Sequence, residues 1–89
     1  MNDAEGQFAA RIAEDLAQVV GPGIAVDDVD LVVGDGAAKV TVTLRVGDQV
    51  EKIEAVGRNV LTLYEPIVRQ AAETRLAAAY RRLVTGGEP

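Results

Sequence analysis

Apolar and polar residues along the chain change period several times, and each change marks an element. Phe8, Ile12, Leu16 and Val19 recur at spacings of four, four and three, the signature of one helical face. Gln7, Arg11, Glu14, Asp15 and Gln18 take the other side, so the pattern predicts a helix over residues 3–20. Asn2 and Glu5 have capping-box spacing, and Gly21-Pro22-Gly23 supplies a stop. The period then falls to two. Ile24 to Val33 is β-branched and apolar, with Val29, Leu31 and Val33 alternating against Asp30. After the hairpin signal Gly34-Asp35-Gly36, residues 39–46 alternate cleanly. Val40, Val42, Leu44 and Val46 point one way, and Lys39, Thr41, Thr43 and Arg45 the other, as in a strand with one buried face.

Residues 47–61 admit two readings. Gly47-Asp48 can turn the chain into a third strand over residues 49–56, with Ile53 and Ala55 on the face of Val40, Val42 and Leu44. Alternatively, Val50, Ile53, Val56, Val60 and Tyr64 lie at helical spacing behind an Asp48 cap. Gly57-Arg58-Asn59 interrupts that helix, and Thr62-Leu63-Tyr64-Glu65 offers a fresh capping box, which favours the strand. A final helix is expected over residues 63–84, with Pro66 tolerated in its first turn and residues 85–89 a loose tail. The expected fold is one two-layer α+β domain over residues 1–89: a three-stranded antiparallel meander with two helices on one face, in the order α-β-β-β-α. The alternative is α-β-β-α with a long, kinked C-terminal helix.

The final helix is apolar on two strips. Val68, Ala72, Leu76, Ala79 and Leu83, with Tyr80 at the edge, form the broader one and are the expected core face. Ile67, Ala71 and Ala78 form a narrower strip, with Arg75 and Arg82 between the two. A helix apolar on two sides is covered on two sides. The expected interface is therefore Ile67, Ala71, Arg75, Ala78 and Arg82, facing a second copy or another protein.

Composition narrows the chemistry. The chain of 89 residues has no histidine, cysteine, tryptophan or serine. The usual nucleophiles, neutral-pH proton carriers and transition-metal ligands are therefore missing. No catalytic residue, cofactor or metal site is expected, and the chain is read as not an enzyme in its own right. Asp27, Asp28, Asp30 and Asp35 miss the calcium-loop pattern, because Val32 and Val33 stand where a ligand and the turn glycine belong. The run from Gly34 to Lys39 leads into a strand, whereas a phosphate-binding loop leads into a helix. Glu14/Asp15 and Glu51/Glu54 are the carboxylate pairs that acid–base work would need, and nothing in the sequence marks them as buried.

The net charge of -5 divides unevenly. Residues 1–36 carry eight acids against one arginine (-7), and residues 37–89 carry eight bases against six acids (+2). An acidic chain is a poor nucleic-acid binder. No run approaches the ~18–20 apolar residues of a membrane span. The acidic start is unlike a secretory signal, so a cytoplasmic location is expected.

Two resemblances follow from these elements. The order α-β-β-β-α resembles the double-stranded-RNA-binding domain, where lysines at the start of the last helix grip phosphates. The matching stretch here, Thr62-Leu63-Tyr64-Glu65-Pro66, has no lysine, so the resemblance carries topology and not RNA binding. Residues 35–47, from Asp35-Gly36 through Lys39-Val40-Thr41-Val42-Thr43-Leu44-Arg45 to Gly47, resemble the central hairpin of the alkaline-shock protein family. That family implies a self-associating envelope-stress scaffold, but its closing strand has no counterpart after Val84.

The function these observations favour is a non-catalytic, self-associating structural or accessory module, working through its C-terminal helix as a homo-oligomer or with a partner protein. A small-ligand-binding or regulatory subunit is the alternative, with a pocket between sheet and helices as its mark. A third possibility is an enzyme subunit that acts only with a partner.

Overall fold

A computed structural model describes residues 3–86. Helix α1 (Asp3–Val20) leads to strands β1 (Ile24–Gly34), β2 (Ala37–Val46) and β3 (Gln49–Gly57); a 3-10 turn (Val60–Leu63) then enters helix α2 (Tyr64–Gly86). The strands form one antiparallel sheet in the order β1-β2-β3. The Asn2 cap and residues 87–89 of the expected tail lie outside the described residues.

Residues 49–57 are a strand, and the helical alternative for them is overturned. Gly47 and Asp48 form a two-residue loop closed by the Val46–Gln49 pair. Gly47 takes φ 65° while Asp48 keeps a negative φ, the pattern of a type II′ hairpin turn whose twist suits the flanking strands. The register sets Val40 opposite Ala55 and Val42 opposite Ile53. These four side chains are buried together, as the alternation predicts.

β1 holds its apolar face by a different device. Ile24 and Val26 occupy even positions, whereas Val29 and Leu31 occupy odd ones, yet all four pack against the core. A bulge accounts for this: Val26 pairs with Leu44 and Asp28 with Thr43, leaving Asp27 as the extra residue. Asp27 turns outward and meets Arg45 Nη2 at 2.8 Å.

One core fills the space between the layers. Ile12, Leu16 and Val20 of α1 meet Ala38, Val40, Val42 and Leu44 of β2, Ile53 and Ala55 of β3, and Leu63, Ile67 and Ala71 from the last segment. Both helices therefore lie on one face of the sheet, and Lys39 and Arg45 stay exposed on the other.

The entry to α2 is capped one turn earlier than the sequence suggests. Asn59 Oδ1 accepts from the Thr62 amide at 3.2 Å, and Thr62 Oγ1 accepts from the Asn59 amide at 3.4 Å. This reciprocal box caps the 3-10 turn, in place of the expected box from Thr62 to Glu65. The helix also runs to Gly86, two residues past its expected end.

The helical faces are exchanged relative to expectation. Ile67 and Ala71, expected on the outer strip, are fully buried against the sheet. Leu76 and Leu83, expected in the core, are 68% and 76% exposed. The reason is that α2 has two neighbours of unequal length. The sheet takes Leu63, Ile67 and Ala71. Toward α1, Tyr64 reaches Asp15, and Val68, one turn on, packs at the core margin. α1 ends at Val20, where Arg75 donates to the Val19 carbonyl at 3.4 Å. Beyond Arg75, α2 has outrun that neighbour.

Candidate interaction surface

At 1.5 Å per residue, the 23 residues of α2 span about 35 Å. The molecule measures 53 Å along its long axis against 19 and 18 Å across. The outward side of this helix changes character along its length. Its first half presents Glu65, Arg69 and Glu73, with Glu65 Oε1 and Arg69 Nη2 3.4 Å apart in the favourable i to i+4 order. Its second half presents Leu76, Tyr80, Leu83 and Val84 at 68%, 69%, 76% and 54% exposure. Spacings of four, three and one put these four on one side of the helix. Isolated exposed apolar residues are ordinary, but four gathered over two and a half turns form a patch.

Of the five residues expected at an interface, Ile67 and Ala71 cannot serve, because both are buried within the chain itself. Arg75, Ala78 and Arg82 border a cleft of about 210 Å³ between the end of α1 and α2, walled also by Val20, Pro22, Ile24 and Ala79. Arg75 supplies the positive charge that α1 lacks in its own last turn, and its hydrogen bond satisfies one terminal carbonyl. The exposed patch that the sequence reading missed was visible as the far half of the supposed core stripe. Its length, against the shorter α1, was the available signal.

Asp15, Glu51 and Glu54 are held in structural contacts. Asp15 accepts from the Tyr64 hydroxyl and pairs with Arg11 at 3.3 Å. The Tyr64 hydrogen bond, helped by Arg11, holds the Asp15 carboxyl below its ordinary range, against a smaller opposing effect of desolvation. The same bond pushes the Tyr64 phenol above its ordinary value. Glu51 and Glu54 lie on opposite faces of β3, the first 4.0 Å from Arg81 and the second 3.5 Å from Lys39. They therefore form no acid–base pair. Among the described residues no group of three carboxylates is placed to hold a metal ion. Among the described residues no helix is long and apolar enough to cross a membrane.

Comparison with protein-family models, with curated proteins and with solved structures gives no match for this chain.

Proposed function

We propose that the chain is a non-catalytic, cytoplasmic structural or accessory module that self-associates through the overhanging half of α2. The observation that carries this reading is the patch of Leu76, Tyr80, Leu83 and Val84, each more than half exposed on one side of the helix. An apolar patch of this kind covers roughly 300–600 Å² per copy. Two copies together reach about the 1,000 Å² that separates specific interfaces from chance contacts. The small core, in a chain with no cysteine or histidine to staple it, favours the same outcome. The outer face of the first half of α2 is charged, so association is confined to the overhang.

Light scattering over a micromolar concentration series tests the proposal. The wild-type chain is expected to exceed its 9.4 kDa monomer mass, and the double variant Leu76→Glu/Leu83→Glu to remain at it. A wild-type chain that stays monomeric throughout the series overturns the reading.

A further inference from the structure

The cleft between the end of α1 and the far half of α2 has a chemistry of its own. Its walls are apolar: Val20, Ile24 and Pro22 on one side, Ala78 and Ala79 on the other. The charged residues lining it are Arg75 and Arg82, and no carboxylate lines it. The two arginines are seven residues apart, two helical turns, so they leave α2 on the same side, about 10 Å apart along the axis. Each is seated against a glycine of the Gly21-Pro22-Gly23 turn. A Cβ at position 21 would lie 3.8 Å from Arg75 Cζ, and one at position 23 would lie 3.5 Å from Arg82 Nη2. Both distances are ordinary van der Waals contact, and both glycines have positive φ, so the turn packs closely against the two guanidinium groups.

The donors are largely unspent. Arg75 gives one Nη1 hydrogen to the Val19 carbonyl, and a guanidinium has five. Arg82 has no hydrogen-bond or ion-pair partner among the described residues. In a chain of net charge -5, Arg82 keeps its donors beside a cleft that no carboxylate lines, with Asp48 lining the neighbouring one. A helix C-terminus accounts for the sign of these charges. It does not account for their meeting over an apolar floor.

We infer that this cleft binds a small organic anion: a carboxylate or phosphate monoester held between Arg75 and Arg82, with a compact apolar body against Val20, Ile24 and Ala79. Guanidinium groups match both oxyanions through paired N–H donors. The volume sets the size of the body, because a cavity of about 150 Å³ already accepts a benzene ring. The cleft shares no residue with the exposed patch of Leu76, Tyr80, Leu83 and Val84, and Ala79 lies where the two adjoin.

Benzoate, phenyl phosphate and inorganic phosphate are the probes, each titrated against the full chain while backbone amide resonances are followed. Saturable shifts confined to residues 19–25 and 75–82 are expected for the two aromatic anions. Inorganic phosphate, lacking the apolar body, is expected to bind roughly 10- to 100-fold more weakly. Arg82→Gln is expected to weaken phenyl phosphate about tenfold or more. Ala79→Leu, which fills the cleft and keeps both charges, is expected to weaken the aromatic probes and spare inorganic phosphate. Arg82 has no hydrogen-bond or ion-pair partner to lose among the described residues, so its variant reports on the ligand even if Arg75→Gln unsettles the end of α1. Shifts scattered over the surface, shifts undiminished in Arg82→Gln, equal binding of bare phosphate, or no saturation with any probe would each overturn the assignment.

Discussion

The side-chain amide of Gln70 closes the free edge of β3 at Glu54. Its Nε2 donates to the Glu54 carbonyl at 2.6 Å, and its Oε1 accepts from the Glu54 amide at 3.3 Å. A single carboxamide on α2 thus does for one residue what a fourth strand would do for the edge, and it anchors the helix to the sheet. An uncovered edge strand is a template for pairing with other chains. Gln70→Ala is therefore expected to lower stability by about 0.5–1.5 kcal/mol, the usual net contribution of hydrogen bonds that water can reach. Urea unfolding measures the loss. Hydrogen exchange at the Glu54 amide should accelerate more than at Ile53, whose neighbours are unchanged; equal acceleration at both would mean a general loosening and no edge role.

The exchanged faces of α2 make a paired prediction. Ile67→Ala removes a fully buried side chain from beneath the helix and should cost about 2–5 kcal/mol. Leu76→Ala touches a side chain 68% exposed and should stay within about 0.5 kcal/mol in the monomer, at concentrations too low for association. Thermal unfolding of the two variants under dilute conditions distinguishes this arrangement from the reverse one, in which Leu76 would carry the larger cost.

The order of elements was legible because each period in the sequence had one physical solution. Val40, Val42 and Leu44 alternate too cleanly for a helix, and Gly57-Arg58-Asn59 breaks the helical alternative for β3. The orientation of α2 was not legible, because periodicity fixes the angle between apolar strips and not what each strip faces. Val68, Ala72, Leu76 and Leu83 carry more apolar bulk than Ile67 and Ala71, so summed hydrophobicity pointed at the wrong strip. The sheet took the leaner strip: Ile67 and Ala71 share one buried cluster with Val42 and Ile53. The β1 bulge was hidden for a related reason: Ile24 and Val26 fit one parity, Val29 and Leu31 the other, and only pairing with β2 reconciles them. The cleft between Arg75 and Arg82 depends on where α1 ends relative to α2, a tertiary distance that no local pattern carries.

The contact between Tyr64 and Asp15 makes stability depend on pH at both ends of the scale. The bond needs a protonated phenol and an ionised carboxyl. Asp15 has a lowered folded pKa, so its contribution is complete above the ordinary carboxylate value of 3.8 and is lost as pH falls through the folded value. Tyr64 has a raised folded pKa, so its contribution is complete below its ordinary value of 10.0 and is lost as pH rises through the folded value. Tyr64→Phe should move the Asp15 carboxyl back toward its ordinary range, read by NMR titration of its side-chain carbon. It should also flatten the acid limb of the stability profile relative to wild type. An Asp15 titration unchanged by Tyr64→Phe would assign the lowered pKa to Arg11 instead.

The bulge at Asp27 yields a prediction that runs against ordinary expectations for strands. Deleting one residue from a strand normally reverses every side chain beyond it. Here the wild-type strand already contains the reversal, and the bulge absorbs it. Removing Asp27 brings Ile24, Val26, Val29 and Leu31 into one unbroken alternation, with Val26 still opposite Leu44 and Val29 still opposite Val42. The deletion should therefore keep the fold. Its main direct loss is the exposed ion pair with Arg45, so stability should change by no more than about 1 kcal/mol. Inserting an alanine after Val29 does the opposite: it sends one half of the strand's apolar residues to the wrong face, and it should unfold β1 or the whole chain. Circular dichroism and thermal unfolding of the two length variants decide the matter. A deletion as damaging as the insertion would mean that the bulge itself, and not the alternation it repairs, is required by the fold.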